Sequence, residues 1–142
     1  KKETIKFNLK TAKRAQRHLL DKGILIIFPS GSVSTAKSLK TEARDNDWKN
    51  FPAKLIQKTR SDVLPIYFDG KNGFLFHLFA SKLKNQTLKY SSYIHETRKK
   101  IGKDIFIYSG NLINYTEIEE IKDRLELINF LKNITYNLKN KH

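Results

Sequence analysis

Four hydroxyl side chains follow a short apolar run near the start of the chain. The segment reads Phe28-Pro29-Ser30-Gly31-Ser32-Val33-Ser34-Thr35. Gly31 lets backbone approach a ligand closely, and hydroxyls with free backbone N–H groups can hold a phosphate or an oxyanion. The alternative interpretation is a strand-ending turn with polar filling. The segment has neither the G-x-x-x-x-G-K-[ST] spacing of a P-loop nor the G-x-S-x-G pattern of a nucleophile elbow.

The other candidates for chemistry are the four histidines, His18, His77, His95 and His142. His18 lies among cations on a predicted helix, and His77 stands between apolar residues, so a surface or packing role is the simpler interpretation for both. None of the four has a metal-ligand spacing such as H-x-x-x-H. The chain contains no cysteine, which excludes a thiol nucleophile and a cysteine-ligated zinc site. The sequence therefore predicts no metal site.

The elements that must position this loop follow from the apolar patterning. Apolar residues at helical spacing predict a helix over residues 9–22, ended by Gly23, and an apolar run predicts a strand over 24–28 that is buried on both faces. Further along, the patterns predict helices over 51–60 and 74–83, strands over 63–68 and 104–109, and a short helix or loop over 94–103. Thr116 and Glu119 form a predicted capping box for an amphipathic helix of about six turns that ends near Leu138.

This order of elements predicts an α/β fold in which helices flank a mostly parallel sheet, with residues 1–142 in a single domain. Ligands of such sheets bind at the carboxyl ends of the strands. The loops after Phe28 and Phe68 are therefore the expected location of a site.

The charge of the chain limits its partners. Its 142 residues carry a formal net charge of +14, which favours an anionic partner: nucleic acid, a phosphate-bearing cofactor or an acidic membrane surface. The positive charge is mostly lysine, whereas specific readers of nucleic acid depend on arginine for bidentate base contacts. The aromatic-rich stretch 71–84, Trp48 and the basic cluster 98–103 each allow a membrane contact or an ordinary structural role.

Two ordered blocks resemble a known family. The run from Gly23 to Gly31 resembles the strand-and-FPEG block of the glycerolipid (lysophospholipid) acyltransferase superfamily, and residues 63–68 resemble its later V-P-V block. The finer match is to the bacterial branch labelled putative hemolysin or lyso-ornithine-lipid acyltransferase-like. That branch has a FPxGxVST loop, then a tryptophan, here Trp48, and then VPVYF-x-G-x-N, here residues 64–72. The resemblance extends over residues 9–116.

The resemblance implies an acyltransferase that moves a fatty acyl group from acyl-CoA or acyl-carrier protein to a lysolipid hydroxyl, with no bound cofactor. In the family, the histidine of an H-x-x-x-x-D motif is the general base. His18, His77 and His95 are followed at the fifth position by Gly23, Lys82 and Lys100, so no catalytic residue is assigned in this chain. We expect the H-x-x-x-x-D motif to lie upstream of Lys1. Residues 1–142 would then form only part of the domain, and this segment alone would be inactive.

The resemblance also implies which residues bind substrate. The expected set is Phe28, Pro29, Ser30, Gly31, Ser32, Ser34, Thr35, Lys37 and Pro65. The acid and the arginine of the family's FPEGTRS loop are replaced here by Ser30 and Val33. This replacement argues against a lysophosphatidate acceptor and favours a zwitterionic or amino-acid lipid headgroup.

The expected location is the cytoplasmic face of a membrane, with peripheral contact to anionic lipid. Two alternatives stay open. The chain could be a noncatalytic anionic-lipid-binding module, or, less in keeping with its residues, a basic nucleic-acid-binding protein. The sequence leaves the oligomeric state undefined.

Overall fold

The computed structural model describes residues 2–31, 45–69, 94–95 and 97–141. Its elements, in chain order, are α1 (Lys2–Leu20), α2 (Phe51–Thr59), β1 (Ile66–Asp69), β2 (Phe106–Ser109), α3 (Tyr115–Ile118), α4 (Arg124–Asn137) and a 3₁₀ helix (Leu138–Lys141). The mixture of helices and strands confirms the predicted α/β character. The helix predicted over 74–83 lies outside the described residues, and within the predicted segment 94–103 residues 97–100 are helical.

The two strands pair antiparallel, with Tyr67 opposite Tyr108 and Phe68 opposite Ile107. The prediction of a parallel arrangement is therefore wrong for these two strands. The sequence pattern could not fix this direction, because a continuous apolar run indicates burial without indicating which neighbour covers each face.

The two faces of this sheet differ. Tyr67 and Tyr108 share one face, with ring centroids 6.3 Å apart, and the ring of Tyr136 from α4 lies 5.8 Å from Tyr67. The opposite face carries Phe68 and Ile107, both more than half exposed. The apolar residues of the strands therefore cover the C-terminal helix with one face only.

Residues 24–28, predicted to be a strand, form no strand pairing within the described part of the chain. Exposure alternates along them: Ile24, Ile26 and Phe28 are 86%, 78% and 71% exposed, whereas the two residues between are half-buried. The prediction of burial on both faces is thus not met here, since one side of this segment is bare.

The core lies between α2 and α4. Its buried members are apolar side chains from these helices, from α3 and from the chain before it: Ala53, Ile56, Ile113, Ile118, Leu127, Ile128 and Leu131. A two-way backbone bridge between Val63 and Ile113, with both N···O distances at 2.9 Å, joins the chain before β1 to the chain after β2. Pro52 lies in the first turn of α2, where a missing N–H costs nothing because it would have no partner in the helix, and α2 corresponds closely to the predicted helix 51–60.

The predicted six-turn C-terminal helix is two helices separated by residues 119–123. The first is capped by Glu117, whose carboxylate accepts the backbone N–H of Asn114 at 2.7 Å, so the cap lies two residues before the predicted Thr116–Glu119 pair. At the second, Asp123 accepts the N–H of Glu126 at 2.8 Å. The helix breaks here because Asp123 starts a new helix with its own cap.

The break is also stabilised from outside. Gln57 on α2 donates to the carbonyls of Ile121 and Lys122, at 3.2 and 2.9 Å. These carbonyls would otherwise lack a partner at the end of a helix. A side chain more than sixty residues away in sequence therefore holds the break in place.

None of the described helices combines the length and the apolar character needed to cross a bilayer.

Candidate functional site

The hydroxyl-bearing loop begins with a tight turn from Phe28 to Gly31. The Gly31 N–H donates to the Phe28 carbonyl at 3.1 Å, and Gly31 has a φ of 64°. L side chains rarely adopt this conformation, which is why glycine belongs there. A Cβ atom at this position would meet no atom of the described residues within 4 Å, so the requirement for glycine arises from the backbone angle.

Ser30 has the opposite environment within the same turn. It is only 6% exposed, although serine side chains in turns are mostly exposed. The serine that stands in the position of the family's acid therefore packs into the protein at the base of the turn.

The turn is tied to the segment that precedes α2. The carbonyl of Pro29 accepts the N–H of Lys49 at 3.0 Å. Next to this contact, the Trp48 indole N–H donates to Asp45 Oδ2 at 2.8 Å, and the Asp45 N–H donates to the Tyr136 hydroxyl at 2.9 Å. A chain of three hydrogen bonds and short backbone steps therefore connects the turn to α4. Burial raises the pKa of Tyr136, so this hydroxyl stays neutral at physiological pH.

The turn is also brought to the strand that carries the second expected loop. The rings of Phe28 and Phe68 lie 6.3 Å apart and are inclined by 40°. This distance lies within the range of favourable aromatic pairs. The two positions after which a site was predicted are therefore neighbours in space, as expected.

Pro65 lies one residue before β1 and is buried. Its carbonyl accepts the N–H of Gly110 at 2.9 Å, and its ring leaves so little room that a Cβ on Gly110 would lie 2.8 Å from Pro65 Cγ. Pro65 thus closes the end of the sheet, and its contacts in the structure are packing contacts.

Four residues of the expected substrate-binding set, Ser32, Ser34, Thr35 and Lys37, lie outside the described residues, as does His77. The structure therefore positions the start of the loop, through Phe28, Pro29, Ser30 and Gly31.

His18 and His95 are described, and both are exposed. The ring Nε2 of His18 lies 3.0 Å from the carbonyl oxygen of Ile24, and the imidazole folds over Gly23, where a Cβ would meet it at 2.4 Å. His18 therefore closes the end of α1. Among the described residues, no group of three or more His, Asp or Glu side chains could hold a metal ion.

The sequence does not predict the hydrogen-bonded connection between the turn and α4. Asp45 and Tyr136 are separated by 91 residues, and no local pattern connects them. The one available signal was Trp48, whose indole N–H needs a partner when the ring is partly buried.

Comparison with known proteins then gave two similar sequences. The chain is 28% identical over 119 residues to a lyso-glycine lipid O-acyltransferase of Phocaeicola vulgatus, an overlap of 80% of this chain and 42% of that protein. It is 29% identical over 119 residues to a lyso-glycine lipid O-acyltransferase of Bacteroides thetaiotaomicron, covering 80% of this chain and 43% of that protein. No family model matches the chain, and no solved structure matches it.

The chain is a distant relative of O-acyltransferases. This confirms the relationship that the residues around Phe28 and Pro65 indicated. The chain spans less than half the length of the two curated relatives that it matches.

Proposed function

We propose that this chain is part of an enzyme that transfers a fatty acyl group to a hydroxyl of a lysolipid. The observation that carries the proposal is its similarity, over 80% of its residues, to two lyso-glycine lipid O-acyltransferases. The Phe28–Gly31 turn supports it, because its residues resemble the family's substrate loop and the turn is held from two sides. The acyl donor in this proposal is acyl-CoA or acyl-carrier protein.

The acceptor in this proposal is a lysolipid with an amino-acid or other zwitterionic headgroup. The relatives are named for lyso-glycine lipid, and in this chain Ser30 and Val33 replace the acid and the arginine of the FPEGTRS loop. Hydroxyl groups bind a zwitterion through hydrogen bonds in both directions, since each is a donor and an acceptor. The N–H of Gly31 is already used within the turn, so headgroup binding is assigned to the loop hydroxyls and Lys37.

The general base in this proposal is a histidine of an H-x-x-x-x-D motif that this chain does not contain. A base must come within hydrogen-bond distance of the acceptor hydroxyl, so the Phe28–Gly31 turn would hold the acceptor for a histidine supplied from elsewhere. In this proposal the reaction takes place at the cytoplasmic surface of the membrane.

The test uses the protein as the cell makes it, with its intact mass and amino-terminal sequence determined first. Acyl transfer to lyso-glycine lipid and to lysophosphatidate is then followed by mass spectrometry with acyl-CoA and with acyl-carrier protein as donors. The proposal expects the native protein to contain the H-x-x-x-x-D motif and to acylate lyso-glycine lipid in preference to lysophosphatidate. A native protein that lacks the motif and acylates neither acceptor would support the noncatalytic lipid-binding alternative.

Two substitutions at Gly31 test the role of the turn. Valine is β-branched and strained at a φ of 64°, so Gly31→Val displaces the loop. Because a misplacement of about 1 Å costs about 10²-fold in rate, kcat/KM is expected to fall by about that factor. Asparagine tolerates this conformation, so Gly31→Asn is the matched control and keeps most of the activity. Full turnover by Gly31→Val would remove the turn from the mechanism.

A further inference from the structure

Five cations lie along one side of α1. They are Lys6, Lys10, Lys13, Arg14 and Arg17, and all five are exposed. With 3.6 residues per turn, they occupy a sector of about 100° around the helix axis. We call this set the basic stripe.

Basic charge predominates in this sector of α1. The acidic residue of the helix, Glu3, lies in its first turn. Residues 4–20 contain no acidic residue, and none of the five cations is paired with a carboxylate of another described residue. Lys6 and Lys10, Lys10 and Arg14, and Lys13 and Arg17 are each four positions apart, where like charges destabilise a helix. An anionic partner would remove this repulsion.

Apolar side chains border the basic stripe on both edges. Viewed along the helix axis, Leu9 and Leu20 project next to Lys13, and Phe7 projects next to Arg14. The three apolar side chains are more than half exposed. The half-buried residues of α1 lie on the other side: Ala12, Ala15, Gln16 and Leu19. That side is where α1 meets α2, since α1 contacts α2. The basic stripe therefore faces away from the protein.

We infer that the basic stripe is the surface through which this protein binds anionic lipid headgroups at a membrane. Cations flanked by exposed phenylalanine and leucine match the headgroup layer and the acyl boundary below it. A nucleic acid would satisfy the charges but not the apolar edges. The inference deepens the proposed function and rests on it, because a lysolipid acceptor is found in the same layer of headgroups.

The experiment measures binding of the protein, as the cell makes it, to two kinds of vesicle. One kind is phosphatidylcholine alone, and the other is phosphatidylcholine mixed with phosphatidylglycerol. The test variant is Lys10→Gln/Lys13→Gln/Arg17→Gln, since glutamine has nearly the helix propensity of lysine and arginine. Each basic residue near an anionic surface contributes about 1 kcal/mol, so binding to the anionic vesicles should weaken by about 10²-fold.

The matched control is Lys54→Gln/Lys58→Gln/Lys103→Gln, which removes the same charge at exposed positions outside α1. It should lose much less affinity, and the binding of the unaltered protein should fall as salt is added. Equal losses in the two variants would overturn the inference, because net charge alone would then explain binding. The inference is also overturned if the test variant binds the anionic vesicles as tightly as the unaltered protein, or if its substitutions weaken binding to duplex DNA and leave vesicle binding intact.

A separate assay distinguishes failure of this inference from failure of the proposed function. Acyl transfer to a lysolipid in neutral detergent micelles does not require an anionic surface, so the test variant should retain it. If the unaltered protein shows no acyl transfer and still depends on the basic stripe for vesicle binding, the proposed function fails and the lipid-binding surface stands. If transfer occurs and vesicle binding ignores the basic stripe, the surface fails alone.

Discussion

Gly110 packs against a rigid neighbour, the ring of Pro65, and has no room for a side chain. A Cβ atom at Gly110 would lie 2.8 Å from Pro65 Cγ and 3.1 Å from Leu138 Cδ2. Pro65 cannot move away easily, because its ring is rigid and its carbonyl accepts the Gly110 N–H at 2.9 Å. The substitution Gly110→Ala should therefore overpack the junction between the sheet and the 3₁₀ helix.

The magnitude follows from two opposed contributions. Overpacking a buried contact costs about 1–3 kcal/mol, whereas replacing glycine by alanine stabilises by about 0.4–1 kcal/mol through the unfolded chain. The net loss in the free energy of unfolding is about 1–2 kcal/mol. For a domain of this size, that loss lowers Tm by about 3–8 °C. Urea unfolding followed by circular dichroism measures it directly, and the slope of the transition should stay unchanged.

The control is Gly23→Ala, where the nominal contact is shorter. A Cβ at Gly23 would lie 2.4 Å from the His18 imidazole, but His18 is exposed and its ring can rotate into solvent. The cost is then one exposed hydrogen bond to the Ile24 carbonyl, about 0.5–1.5 kcal/mol before the gain through the unfolded chain. If Gly23→Ala destabilises the protein more than Gly110→Ala, the reasoning from the rigidity of Pro65 is refuted.

Two further predictions concern α4 and its contact with the candidate site. Burial holds the pKa of Tyr136 above the usual tyrosine value of 10.0, so above about pH 10 the unfolded chain loses this proton before the folded protein does, and the free energy of unfolding falls as pH rises. Tyr136→Phe should flatten that alkaline decline. It also removes the hydrogen bond from the Asp45 N–H and should therefore cost about 1 kcal/mol in the free energy of unfolding at neutral pH. An unchanged alkaline decline would show that Tyr136 is not the group that causes it. Asp123→Ala removes the acceptor of the Glu126 N–H and should cost about 1 kcal/mol in urea unfolding, whereas Asp123→Asn, which keeps a capping oxygen, should cost much less.

The sequence predicted the elements better than their arrangement. The helix over 51–60 and the strands within 63–68 and 104–109 follow from local patterning. Both α2 and β2 lie inside those bounds, and β1 extends one residue beyond them, to Asp69. The direction of pairing does not follow, because it depends on the path of the chain between β1 and β2. The break in the C-terminal helix does not follow either: apolar spacing continues across it, and Gln57, which satisfies the carbonyls at the break, is remote in sequence.

The candidate site likewise combines a feature that local sequence patterns predict with contacts that they do not. The turn at Phe28–Gly31 was predictable because proline and glycine at these positions have local conformational preferences. Phe28 and Phe68 lie in contact, but residues 24–28 form no strand pairing within the described residues. The rule that loops cluster at the carboxyl ends of parallel strands therefore does not account for this contact. The contact with Tyr136 through Asp45 could not be predicted, since it depends on how α4 packs against the segment before α2.

The shape of the Phe28–Gly31 turn is fixed locally by Gly31. Its position is fixed by residues that are distant in sequence: Lys49 through the Pro29 carbonyl, and Phe68 through the Phe28 ring. A substitution at Gly31 should therefore change the loop itself, and one at Tyr136 should change where the loop lies relative to the sheet. If the protein transfers acyl groups as proposed, the acceptor hydroxyl must lie within hydrogen-bond distance of a base held elsewhere, and both changes should then lower kcat/KM. Only the change at Tyr136 should also lower the stability of α4.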